Sequence, residues 1–190
     1  MSSTRRTGTA VHAAILVAVL AATLTSASPA TATITSTATG PGSTGSTGTG
    51  QVFMVNPVQS SGDESLTDQK DSSSAVPQSD YATINLRNLD GSGFLSGKWV
   101  NVRSSTGPAA FSTSNTFVFN RSDDRFEQVM GYFWVNQAQE YLQSLGFGSA
   151  LRPVNMHSQD LRIDQLGIDN SFQTAKQDYI RLGKGGVDDA

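Results

Sequence analysis

Apolar positions recur along the chain with two periods, and the change between them divides it into elements. Tyr81-Ala82-Thr83-Ile84-Asn85-Leu86-Arg87 alternates, placing Ala82, Ile84 and Leu86 on one face, which predicts a half-buried strand. Asp90-Gly91-Ser92-Gly93 supplies turn residues, Asp-Gly being favoured because it tolerates positive φ. Phe94 to Val102 then returns as the second arm of a hairpin. Val52-Phe53-Met54-Val55, stopped by Asn56-Pro57, and Thr116-Phe117-Val118-Phe119 read as shorter strands. The Ser-, Asp- and Gln-rich stretch from Ser60 to Asp80 reads as a surface loop, with Pro77 as a breaker.

From Asp123 to Leu145 the period becomes helical. Phe126, Val129, Met130, Phe133, Gln137, Tyr141 and Leu145 fall near one face, widened by Trp134, Ala138 and Leu142. Asp124 followed by Glu127 resembles a capping box, and Gly146 suits the stop. The broad apolar face predicts a largely buried helix. Leu161-Arg162-Ile163-Asp164-Gln165-Leu166 and Asp178-Tyr179-Ile180-Arg181-Leu182 alternate as strands, with Ile168 to Phe172 as the loop between them. Strands, one long helix at about 123–145, then strands predict an α+β fold.

The first fifty residues follow neither period. Of the 13 basic residues only Arg5 and Arg6 precede Gln51, leaving 11 against all 16 acids, a balance of −5 for the remainder. Two early arginines, no acids, an apolar run from Ala13 to Leu24 and the small-residue stretch Ser26 to Ala32 have the layout of a cleaved signal peptide over 1–32. The run is about a dozen residues, short of the roughly 20 that span a bilayer. Export to the extracellular side is therefore expected, by the general route, because Thr7-Gly8 follows Arg5-Arg6 where a twin-arginine signal prefers a bulky apolar residue. Residues 33–50 are almost wholly Thr, Ser, Gly and Ala and predict a flexible linker, so the folded part is expected over 51–190.

Composition removes chemistry before it offers any. With no Cys there is no disulfide scaffold, thiol nucleophile or thiolate metal site. An acidic balance argues against nucleic acid as a partner, and nothing beyond the signal peptide suggests a membrane. His12 lies in the signal region, leaving His157 alone, and one His cannot build an H-E-x-x-H zinc site. A Ser-His-Asp triad on His157 lacks a Gly-x-Ser-x-Gly elbow. Asp123-Asp124 sits at a helix start, where carboxylates meet the helix dipole. Asp63, Asp68 and Asp71, or Asp90, do not have the spacing of an EF-hand calcium loop. Gly183-Lys184-Gly185-Gly186 lacks P-loop spacing and precedes Asp188-Asp189, which would repel phosphate. Asn120-Arg121-Ser122 fits a glycosylation sequon. No catalytic and no metal-binding residue is expected in this chain.

The run Asn120-Arg121-Ser122-Asp123-Asp124-Arg125-Phe126-Glu127-Gln128-Val129-Met130, continuing through Ala138-Gln139-Glu140-Tyr141-Leu142-Gln143-Ser144-Leu145-Gly146-Phe147, resembles secreted bacterial zinc metallopeptidases of the thermolysin/fungalysin type. Asp169-Asn170-Ser171-Phe172 and Tyr179-Ile180-Arg181-Leu182-Gly183-Lys184-Gly185-Gly186-Val187-Asp188-Asp189-Ala190 are similar to the edge strand and glycine-rich turn that there lead into the H-E-x-x-H helix. Leu66-Thr67-Asp68-Gln69 and the turn at Leu89 to Gly93 are similar too.

The resemblance implies an incomplete amino-terminal lobe, β-hairpins and strands on one long helix, ending where the metal helix would begin. Asp188-Asp189-Ala190 would suit the N-cap of that helix. It implies that Asn170, Ser171 and Phe172 hold a peptide or protein substrate by strand addition in the full-length form. Zinc, and calcium as a further candidate, would belong to that form, and this chain by itself is expected to be inactive. The alternatives are a secreted non-catalytic β-rich binding or surface protein, and a serine hydrolase dependent on His157.

Overall fold

The computed structural model describes residues 45–66, 72–105, 107–167, 170–174 and 176–183, all within the unit Gly40–Ala190. The signal region, most of the 33–50 segment, Asp68, Asp71, Asp169 and the stretch from Lys184 to Ala190 lie outside the described residues.

The described elements run β1 (Ser46–Phe53), α1 (Pro57–Ser61), β2 (Tyr81–Leu89), β3 (Val100–Ser104), β4 (Thr116–Phe117), α2 (Asp124–Ser144), β5 (Gln159–Leu166), β6 (Ser171–Thr174) and β7 (Gln177–Gly183). Two small sheets share one long helix, an α+β arrangement. The first sheet has the order β2-β1-β4, with β1 antiparallel to β2 and parallel to β4. The second has the order β3-β5-β7-β6, its first three strands parallel and β6 antiparallel to β7. α2 lies between β3 and β5 in the chain, which gives these parallel neighbours the long crossover that such a pair requires.

The inward faces of both sheets close on α2. Val52, Leu86, Val100, Leu161 and Ile163 meet Val129, Tyr132 and Phe133 of the helix in one buried cluster. Phe53, Leu66, Val76 and Phe126 form a satellite, in which Phe53 and Phe126 meet edge-on at 4.9 Å.

Two expectations are corrected here. The linker reading of 33–50 fails at its end, because Ser46–Gly50 belongs to β1, the central strand of its sheet. Small residues are required there by close approach. A Cβ on Gly50 would lie 2.9 Å from Val129 Cγ1, and one on Gly48 would lie 2.4 Å from the Asn115 carbonyl oxygen. The expected hairpin also fails, because β2 pairs with β1, and β3 joins the other sheet beside β5. Between them Gly91 and Gly93 both take positive φ. The chain then folds into a compact loop that buries Leu95 and Trp99, held by single bridges Leu89 to Gly97 and Ser96 to Asn101.

The helix matches its expected span. Its N-cap is Asp123, one residue before the Asp124 expected to open the capping box, and the Asp123 carboxylate accepts from the Arg125 backbone N–H at 3.0 Å. Gly146 at φ 93° donates to the Gln143 carbonyl at 2.9 Å, the left-handed stop that the sequence suggests. The buried face differs in the second half. Asn136 and Gln139 are buried, whereas Tyr141 is 64% and Leu145 51% exposed. Polar partners decide this. Asn88 Nδ2 donates to Asn136 Oδ1 at 3.0 Å, and Gln139 Nε2 donates to the carbonyls of Val154 and Asn155 at 3.2 and 2.9 Å.

Candidate functional site

β6 is the outer strand of the second sheet, and it carries two of the three residues expected to hold substrate. Ser171 pairs with Leu182 and Phe172 with Arg181, while the Asn170 carbonyl, just before the strand, accepts from the Gly183 N–H at 2.8 Å. The loop expected from Ile168 to Phe172 is therefore a strand from Ser171 onward. Backbone groups alternate in direction along an antiparallel pair. With Asn170 turned toward β7, Phe172 follows it, and the N–H and C=O of Ser171 turn toward the open edge. Asn170 and Ser171 are exposed, and Phe172 is half-buried with the Arg181 guanidinium 5.5 Å from its ring centre.

Beside β7 a groove of about 250 Å³ opens between α2 and the second sheet. Met130, Gly131, Trp134, Leu161, Ile180 and Leu182 supply apolar walls, and the Glu127 and Asp164 side chains add two acidic groups. Gly131 makes the close approach possible, since a Cβ there would lie 2.6 Å from Leu161 Cδ2. A glycine inside a helical pattern is the one sequence signal that could have marked this groove. Asp164 sits at positive φ, 56°, within the interval where the β5–β7 register shifts. Nothing in the periodicity of β5 announces that irregularity.

The remaining expected candidates are structural. His157 Nε2 is 3.1 Å from Asp178 Oδ2, and Nδ1 is 3.1 Å from the Ser158 carbonyl, so both ring nitrogens face partners other than a serine hydroxyl. Asp123 caps α2 and is clamped by Arg125 Nε at 2.8 Å and Nη2 at 2.6 Å. The hydrogen bonds from Arg125 are the main reason its carboxyl is held below the usual range, against the opposing effect of burial. Asp90 Oδ1 accepts from the Ser92 N–H at 2.8 Å and closes the turn. Asn120 Oδ1 accepts from the Ser122 hydroxyl at 2.7 Å in a local turn.

A polar cluster that the sequence did not single out joins β2 to α2. Arg87 Nε donates to both Glu140 carboxylate oxygens at 3.1 Å, its Nη2 donates to Oε2, and Asn88 Nδ2 donates to Oε1 at 2.7 Å. Burial pushes the Glu140 carboxyl up, but hydrogen bonds from Arg87 and Asn88 and the charge of Arg87 outweigh it and hold it low. Beside it the Tyr132 hydroxyl donates to the Arg87 carbonyl at 2.8 Å. Burial, then the charges of Asp90 and Glu140, push that hydroxyl far above its ordinary value.

As to metal, no cluster of three His, Cys, Asp or Glu suited to an ion occurs among the described residues. His157 with Asp178 supplies two side chains where a zinc site needs three or four, so the described residues do not fit zinc.

Comparison with protein-family models, with curated proteins and with solved structures found no match for this chain.

Proposed function

We propose that this chain is the amino-terminal lobe of an exported zinc metalloendopeptidase of the thermolysin/fungalysin type, whose zinc-binding H-E-x-x-H helix is not among its 190 residues. The observation that carries the reading is the place of Asn170-Ser171-Phe172. This segment, similar to the family's substrate-holding run, leads into an open sheet edge beside an apolar groove. Strand addition at such an edge holds a peptide through backbone hydrogen bonds, with alternate side chains choosing among substrates.

On this reading the chain's own part is to bind and orient. The outward N–H and C=O of Ser171 pair with the substrate backbone, Phe172 offers an apolar contact, and Asn170 adds a side-chain amide. Zinc, held in the full-length enzyme by residues other than those described, would supply the activated water, and calcium is a further candidate ion there. The 190 residues hold no H-E-x-x-H, and peptidase activity is expected only of the full-length form. The exposed Trp134, Tyr141 and Leu145 of α2 supply apolar surface for the remainder of the enzyme to cover. Export follows the amino-terminal layout of two arginines, an apolar run and small residues.

The test begins by reading the gene and transcript past the Ala190 codon. An H-E-x-x-H within about a dozen residues, and a full-length product that cleaves casein until a chelator is added, is the expected result. In that product Ser171→Pro removes an outward N–H that β7 does not use, a change an edge strand tolerates. It is expected to raise KM about tenfold with little change in thermal stability. A stop after Ala190, with no H-E-x-x-H in the frame, removes the peptidase reading and leaves the secreted binding protein.

A further inference from the structure

The outer face of the second sheet carries arginines on three neighbouring strands in one register row. Arg103 of β3 lies opposite Arg162 of β5, which lies opposite Arg181 of β7, and Phe172 of β6 closes the row. Neighbouring strands are about 4.8 Å apart, so three cations fall within about 10 Å. Like charges directly opposite one another destabilise a sheet, and the chain as a whole is acidic. This local excess of positive charge needs a reason.

The next row on the same face is Asn101, Asp160 and Tyr179, so these two rows hold a single carboxylate. Asp160 Oδ1 accepts from Asn101 Nδ2 at 2.8 Å, and its Oδ2 lies 3.8 Å from Arg103 Nε, a loose contact. Arg162 and Arg181 are held by rings instead. The Arg162 guanidinium sits 3.7 Å from the Tyr179 ring centre, and that of Arg181 is 4.9 Å from the same ring. Arg181 Nη2 also donates to the Tyr179 hydroxyl. The Nε of both arginines is buried without a hydrogen-bond partner among the described residues. Stacking thus fixes both guanidinium planes, and with Nε covered the fork each can turn to a ligand is its pair of terminal nitrogens.

The chemistry narrows the ligand. Tyr179 and Phe172 already lie against guanidinium groups, which leaves less ring surface along this row for a nucleobase to stack on. One arginine fork satisfies the two oxygens of a carboxylate, whereas two neighbouring forks call for the three oxygens of a phosphoryl group. The row lies on an open face, and its length suits successive charges better than one small ion. We propose that Arg162 and Arg181, flanked by Arg103, bind a linear phosphate polymer that carries no bases. The proposal does not rest on the peptidase reading.

The test measures binding of the whole chain to inorganic polyphosphate at low salt, with inorganic phosphate, polyglutamate and oligothymidylate as comparison probes. Polyphosphate is expected to bind more tightly than the other three. Arg162→Lys with Arg181→Lys keeps both charges but removes the forks, and is expected to weaken binding about tenfold with the far-ultraviolet circular dichroism unchanged. Arg103→Gln, at a 65% exposed side chain that endangers no packing, is expected to weaken it about threefold. No polyphosphate binding, binding that ignores these substitutions, or equal binding of polyglutamate or oligothymidylate overturns the proposal.

Discussion

Single side chains decide how tightly α2 is tied to the first sheet. The Arg87–Glu140 pair keeps 34% and 27% of its side-chain surface in water. Removing the cation should therefore cost less than the 3–5 kcal/mol of a fully buried pair, about 1–2 kcal/mol. Arg87→Ala is expected to lose that amount in urea unfolding, and Glu140→Gln less, because the amide still accepts one hydrogen bond. Glu140 titrates lower folded than unfolded. Its contribution is thus present above the ordinary Glu value of about 4.3 and is lost as pH falls through the lower folded value. Acid unfolding below about pH 4 should be shallower in Glu140→Gln, and an unchanged pH profile would sink this account. Tyr132 has the opposite sign, so stability should fall as pH rises above about 10 and should do so less in Tyr132→Phe. Gly97 is a steric requirement. A Cβ there would lie 2.0 Å from the Asn88 carbonyl oxygen and 2.6 Å from the Tyr132 hydroxyl oxygen. Gly97→Ala should cost about 1–3 kcal/mol, read as a lower urea midpoint.

At the scale of elements, α2 is legible in its ends and in half of its face. Its period, its acidic N-cap and Gly146 come from local chemistry that no partner needs to complete. Asp123→Ala is expected to cost about 1 kcal/mol through the lost cap. The second half of the helix was misread because Asn136 and Gln139 look like solvent-facing residues until Asn88 and the Val154–Asn155 carbonyls arrive from distant segments. β1 was misread for a related reason. Gly48 and Gly50 carry no hydrophobic signal, and their value lies in what they let approach. Gly50→Val should destabilise by about 1–3 kcal/mol, where a flexible linker would show no change on thermal unfolding. At β6 the local pattern suggested a loop, and the backbone instead forms a strand from Ser171 onward at the outer edge of the sheet.

At the scale of the molecule, the proposed export predicts a mature chain that begins between about Ser28 and Thr33, checked by sequencing the amino terminus of secreted protein. The sequence by itself determined the α+β class, the span of the helix and the alternation of β2, β5 and β7. It also determined the poverty of titratable chemistry, because composition and periodicity are local properties. Only the tertiary structure decided which strands are neighbours, since pairing depends on contacts between residues far apart in the chain. Thus β2 chose β1 over the nearby return of the chain, where two left-handed glycines and the buried Leu95 and Trp99 turn it aside. The arginine row and the groove are products of the same long-range register. Arg103, Arg162 and Arg181 are dispersed in the sequence, and three strands pairing in parallel bring them into line.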